Sequence, residues 1–92
     1  MRIVGGMLRG RTIKGPEHKA VRPTSDRVRE SIFNILSHGI DDFNVKGIDV
    51  LDLFCGTGAL GLEALSRGAR SCLFVDSDAA ARALTRENIE QF

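Results

Sequence analysis

Apolar positions in this chain of 92 residues fall into two patterns. Ile48 to Phe54 and Ser71 to Val75 are short, nearly continuous apolar runs, as expected of strands covered on both faces. Elsewhere apolar residues recur at helical spacing. Val28, Ile32, Ile35 and Leu36 predict one helix, with Thr24 as its cap, Asp26 in its first turn, His38 in its last and Gly39 as its stop. Leu60, Ala64 and Leu65 predict a second, from about Ala59 to Arg67, closed by Gly68. Ala81, Leu84 and Phe92 predict a third, opened by Ser77 or Asp78. Asn88 falls on that last stripe, so it needs a polar partner or a wet edge.

The amino-terminal region reads differently. Arg2-Ile3-Val4 and Met7 to Ile13 flank Gly5-Gly6, a dipeptide suited to a hairpin turn. Their poor alternation predicts that the hairpin lies on another surface. Gly15-Pro16 ends it, Glu17 to Arg22 is a polar loop, and Pro23 biases Arg22 toward an extended conformation. Asp41 to Gly47 is a polar connection to the first core strand. The order is ββ-α-β-α-β-α, and a right-handed crossover sets the two core strands side by side and parallel. The fold class is α/β.

Between the two strands lies Asp52-Leu53-Phe54-Cys55-Gly56-Thr57-Gly58-Ala59-Leu60-Gly61, and the second strand ends on Asp76. Strand, glycine loop, helix, strand and acid together form a nucleotide pocket at the carboxyl edge of a sheet. Gly56, Gly58 and Gly61 match G-x-G-x-x-G literally, so a nicotinamide-dependent oxidoreductase is one reading. Charge favours another. Asp52 would repel a pyrophosphate, whereas S-adenosyl-L-methionine carries an ammonium and a sulfonium. Asp76 suits either cofactor, because both offer ribose hydroxyls.

Composition is that of one small globular domain, with 42% apolar and 27% charged residues. No apolar run is long enough to span a membrane, and no secretory h-region follows Met1. Cys55 and Cys72 lack a metal-binding spacing and are expected as small buried or loop residues, which points to a reducing cytoplasm. His18 and His38 are expected at the surface, and no metal ligand is assigned. The net charge of +1 is unevenly spread. Arg2, Arg9, Arg11, Lys14, Lys19 and Arg22 face the single acid Glu17 in residues 1–23, while the rest holds seven basic and eleven acidic groups. A basic segment on an acidic domain suggests a nucleic-acid partner, or else lysines and arginines that keep a strand edge from pairing.

The basic opening from Arg2 to Arg11, the block Arg22-Pro23-Thr24-Ser25-Asp26-Arg27-Val28-Arg29-Glu30 with Phe33-Asn34, and Leu51 to Ala69 occur in an informative order. In that order the chain resembles the amino-terminal half of RsmD-type ribosomal RNA methyltransferases. The resemblance implies a class I SAM-dependent methyltransferase fold, Rossmann-like and doubly wound with a mostly parallel sheet, preceded by a β-hairpin and helix. Residues 1–23 would be a basic hairpin and loop, and residues 24–92 the first portion of the cofactor-binding domain. It implies S-adenosyl-L-methionine as cofactor and the N2 amine of a guanine in 16S RNA, or in the small ribosomal subunit, as target. Asp52, Phe54, Cys55, Gly56, Thr57 and Gly58 would line the methionine and ribose side, Asp76 would take the ribose hydroxyls, and Ser77 would lie near the adenine. Arg22 and Thr24 would reach the methionine end, Arg22 pairing with its carboxylate. The family's Asp/Asn-Pro-Pro-aromatic loop has no counterpart here, so no catalytic residue is assigned and the chain reads as a truncated portion. The full-length protein is expected to be a monomer. A non-catalytic RNA-binding module is the remaining alternative.

Overall fold

The computed structural model describes residues 1–16 and 24–92. Three helices and two strands follow one another: α1 (Asp26–His38), β1 (Asp49–Leu53), α2 (Ala59–Ser66), β2 (Ser71–Val75) and α3 (Ala79–Glu90). The two strands pair in parallel, with Asp49 opposite Ser71 and Leu53 opposite Val75. This is the expected α/β order, with element ends within a residue or two of those predicted. Arg22, Pro23 and His18 lie outside the described residues.

Helix α1 starts one residue later than the pattern suggested. Ser25, not Thr24, is the cap: its side chain accepts the Val28 N–H. The buried stripe is also rotated. Val28 and Ile35 are exposed, while Arg29 and Phe33 are buried, with Ile32 and Leu36 partly covered. The cause is Arg29, whose guanidinium is fully enclosed and donates to the carbonyls of Thr24 and Arg2 and to Asp26 Oδ1. Its Nε lacks a hydrogen-bond partner and sits 3.7 Å from Glu63 Oε1. A buried cation met by such a set of acceptors decides which face turns inward.

The amino-terminal segment is a strap rather than a regular hairpin. Only one antiparallel bridge, Arg2 with Thr12, joins its two sides among the described residues. Three backbone bonds cross between those sides, from Ile3 N to Arg11 O, Gly10 N to Ile3 O and Ile13 N to Met1 O, and the backbone bonds to α2 as well. The Val4 and Gly5 N–H groups donate to the two carboxylate oxygens of Glu63 at 2.8 and 2.9 Å, Met7 N donates to Ser66 O, and Leu8 N to Ser66 Oγ. Gly6 has φ +79°, and a Cβ there would lie 2.0 Å from Ser66 O, so only glycine fits. Ile3 and Ile13 reach inward to Ala59 and Leu62. Helix α2 is therefore covered on both sides, which explains why Ala59, Gly61, Leu62, Glu63, Ala64 and Ser66 are all buried.

A second apolar cluster lies on the other side of α2. It joins Phe33, Val45, Ala64 and Ala69, with Phe43 packed beside them. The connection from Asp41 to Gly47 thus contributes two core residues and is not merely polar. Among the described residues one face of β1 is left uncovered. Leu51 and Leu53 are exposed, as are their cross-strand partners Leu73 and Val75. The other face of β2 packs closely on α2: a Cβ on Gly61 would lie 2.4 Å from Phe74 Cε1 and 2.6 Å from Cys72 Sγ. Gly61→Ala should therefore lower stability by about 1–3 kcal/mol through overpacking, read as an earlier urea midpoint.

Candidate cofactor site

The turn after β1 is built by the residues that surround it. Cys55 N donates to Val75 O at 3.0 Å, extending the contact between strand ends. Gly56 and Gly58 adopt φ of +56° and +82°, conformations open to glycine. Phe54 also has a positive φ, +56°, and its side chain is 85% exposed. An aromatic residue held in a left-handed conformation and presented to solvent is costly unless the surface is used.

Asp76 closes the turn from the end of β2. Its Oδ2 accepts the Gly56 N–H at 3.0 Å and its Oδ1 accepts the Asp78 N–H at 2.9 Å. These two backbone bonds hold its carboxyl below the usual value of 3.8, against a small opposing effect of burial and with help from Arg82. A carboxylate has about four lone-pair sites. Two remain for a ligand hydroxyl.

Asp52 plays a different part. It is buried beneath the turn, and its Oδ2 accepts the Gly61 N–H at 3.1 Å. Burial pushes its carboxyl above 3.8; the Gly61 bond opposes this, and the charge of Asp76 adds to it. Four amides of this turn and of the start of α2 are already engaged. Gly56 N binds Asp76, Gly58 N binds Cys55 O, Ala59 N binds Thr57 Oγ1 and Gly61 N binds Asp52.

Helix α3 supports the turn from behind. Asp78 caps it by accepting the Ala80 N–H. Thr85 Oγ1 donates to Gly56 O at 2.7 Å and accepts from Cys55 Sγ at 3.4 Å. Asn88 Nδ2 donates to Thr57 O at 2.9 Å. Sequence reasoning missed Thr85 altogether; its place three residues before Asn88, on the same helical face, was the available signal.

The structure brings Phe54, Cys55, Gly56, Thr57, Gly58, Asp76 and Ser77 to one edge of the sheet, with Asp52 beneath. Thr24 lies just before α1, where its carbonyl accepts from Arg29, and Arg22 is outside the described residues. A separate apolar groove of about 320 Å³ runs between α1, the Phe43–Val45 segment and β1; it shares only Asp52 and Gly61 with this region.

The family described as Conserved hypothetical protein 95 matches residues 1–92. Over 90 residues the chain is 43% identical to the putative rRNA methyltransferase YlbH of Bacillus subtilis, covering 98% of this chain and 46% of that protein. It is 48% identical over 80 residues to ribosomal RNA small subunit methyltransferase D of Escherichia coli, covering 87% and 38%. The chain belongs to the RsmD family of rRNA methyltransferases. A solved structure, the putative methyltransferase yhhF from Escherichia coli, superposes with a TM-score of 0.81 at 38% identity, covering 99% of this chain and 46% of that one. The RsmD-family chain thus has the class I methyltransferase architecture in part, and spans less than half the length of these relatives. No helix among the described residues is long and apolar enough to cross a membrane.

Proposed function

We propose that this chain forms the S-adenosyl-L-methionine-binding half of a cytoplasmic methyltransferase that modifies the N2 amine of a guanine in 16S ribosomal RNA. One observation carries the choice of cofactor. The Gly61 N–H in the first turn of α2, at the end that would meet a pyrophosphate in a dinucleotide enzyme, is already bonded to the buried carboxyl of Asp52. A diphosphate would have to displace that charge. A cationic methyl donor would be drawn to it.

When bound, the cofactor supplies a methyl group already activated by its sulfonium. The chain's own residues bind and orient it. Asp76 offers its two spare lone-pair sites to the ribose hydroxyls, and Ser77 lies beside the adenine. Phe54, Cys55, Gly56, Thr57 and Gly58 line the ribose and methionine side, while Arg22 and Thr24 serve the methionine carboxylate. The basic segment of residues 1–23 holds the RNA backbone without reading sequence, and residues 24–92 form the cofactor domain. The full-length protein acts as a monomer.

Comparing thermal stabilisation by S-adenosylhomocysteine and by NAD tests this assignment: the first should raise the Tm and the second should not. RNA binding should weaken steeply with salt. Equal stabilisation by NAD would overturn the cofactor choice.

The pH dependence follows from Asp52. Burial holds its folded carboxyl above the ordinary value of 3.8, and a cation bound nearby would favour the ionised form. Affinity for S-adenosyl-L-methionine should therefore rise with pH as Asp52 ionises and level off once that ionisation is complete. Asp52→Asn should flatten that rise, as measured by calorimetry across the range.

A further inference from the structure

The strap and the cofactor turn lie on opposite sides of one buried amide. Asn88 Oδ1 accepts the Lys14 N–H at 2.8 Å, and Asn88 Nδ2 donates to Lys14 O at 3.0 Å and to Thr57 O at 2.9 Å. The side chain is fully enclosed, so each of these bonds is shielded from water. Both functions of the amide are needed: the oxygen for the strap, the nitrogen for the strap and the turn together. Gln91 Nε2 reaches the same Oδ1 at 3.3 Å. Arg11 fixes the strap to the end of α3 through Gln91 O at 3.2 Å and a stack on Phe92 at 5.0 Å.

We infer that Asn88 is a positioning residue that sets the conformation of the Thr57 turn according to how the basic strap is seated. The inference rests on the reading of that turn as the cofactor site, and it deepens it. The strap proposed to hold RNA and the turn proposed to hold the methyl donor are joined by a single amide rather than by the packed core alone. Seating the strap orients Asn88, and Asn88 in turn holds Thr57 O. RNA on the strap therefore favours the turn geometry that takes the cofactor, and by linkage the cofactor favours RNA binding.

The test is a double-mutant cycle with S-adenosylhomocysteine as probe, read by calorimetry, with circular dichroism to verify folding. Asn88→Asp keeps the acceptor for Lys14 N–H and loses both donor bonds. Lys14→Pro removes the Lys14 N–H from a residue that no proposed cofactor contact includes. Each should weaken binding about tenfold, the effect of one buried hydrogen-bonding group left without its partner. The double variant should be no weaker than Asn88→Asp alone, because both changes act through one amide. Glu87→Gln, which loosens only the 3.0 Å ion pair to Lys14 Nζ, should leave the affinity unchanged. Independent, multiplying effects of the two variants, or no effect of Lys14→Pro, would overturn the inference.

A second measurement needs neither a variant nor the cofactor. In the wild-type chain, saturation with a 16S RNA fragment should slow hydrogen exchange of the Gly56 to Ala59 amides several-fold. Unchanged exchange would overturn the role of Asn88. Failure of the wild-type chain to take S-adenosylhomocysteine, with that slowing intact, would defeat the functional reading and leave the strap-to-turn connection standing.

Discussion

Replacing Glu63 with alanine should destabilise the chain by about 3–5 kcal/mol, the cost of removing one member of a buried charged pair. Glu63 is fully buried, and its carboxylate accepts from Val4 N, Gly5 N and Arg67 Nε while facing Arg29. Its loss strands two backbone donors and leaves the enclosed Arg29 with Asp26 as its remaining ion-pair partner among the described residues. Arg67 is tied to the same group and also stacks on Phe33 at 4.9 Å, so the seam between α1 and α2 would loosen too. Urea denaturation would show the loss as a lower midpoint. Replacing both charges, as in Arg29→Met with Glu63→Leu, should recover only part of it, because the strap still needs an acceptor for its two N–H groups. Full recovery would mean that charge, not strap anchoring, is what Glu63 contributes.

Asp76→Ala should weaken S-adenosylhomocysteine binding by roughly ten- to a hundredfold, which is the 1.5–3 kcal/mol typical of hydrogen bonds to a charged group. Two losses combine. The ligand would lose its carboxylate acceptor, and Gly56 N and Asp78 N would lose the group that fixes the turn to the start of α3. Asp76→Asn retains one oxygen and should lie between the two. Stability should fall little in either variant, since Asp76 lies at the exposed rim of the turn. An unchanged affinity in Asp76→Ala would remove Asp76 from the site.

The strands, the glycine turn and the helix order were legible because each depends on local periodicity or on glycine at fixed places. Asn88 shows where such legibility stops. That it needed a partner followed from its place on an apolar stripe, but Lys14 and Thr57 as those partners are long-range facts. The rotated face of α1 has the same origin. Periodicity favours Val28 and Ile35 over Arg29 as inward residues, and the acceptors that make an inward arginine tolerable include the Arg2 carbonyl, distant in sequence, with Glu63 facing its Nε at 3.7 Å. That the hairpin lies on another surface followed from its poor alternation, but the groups it bonds there, the Glu63 carboxylate and Ser66, are long-range facts. Leu51, Leu53, Leu73 and Val75 form an apolar face that these residues leave exposed, in a chain spanning less than half the length of its relatives.

At the candidate site, Asp52 was expected to stand beside the cofactor and is found beneath the turn, bonded to Gly61 N. Asp76 lies where the sequence placed it, at the end of β2 beside Gly56.

Amide chemical shifts of the isotopically labelled chain give the most direct test of a turn that takes a cationic methyl donor. Adding S-adenosyl-L-methionine should move the signals of Gly56, Thr57, Gly58, Asp76 and Ser77, leaving those of β1's far end at Asp49 in place, and NAD at equal concentration should move none of them. Shifts at those five residues with NAD and none with the methyl donor would contradict the account.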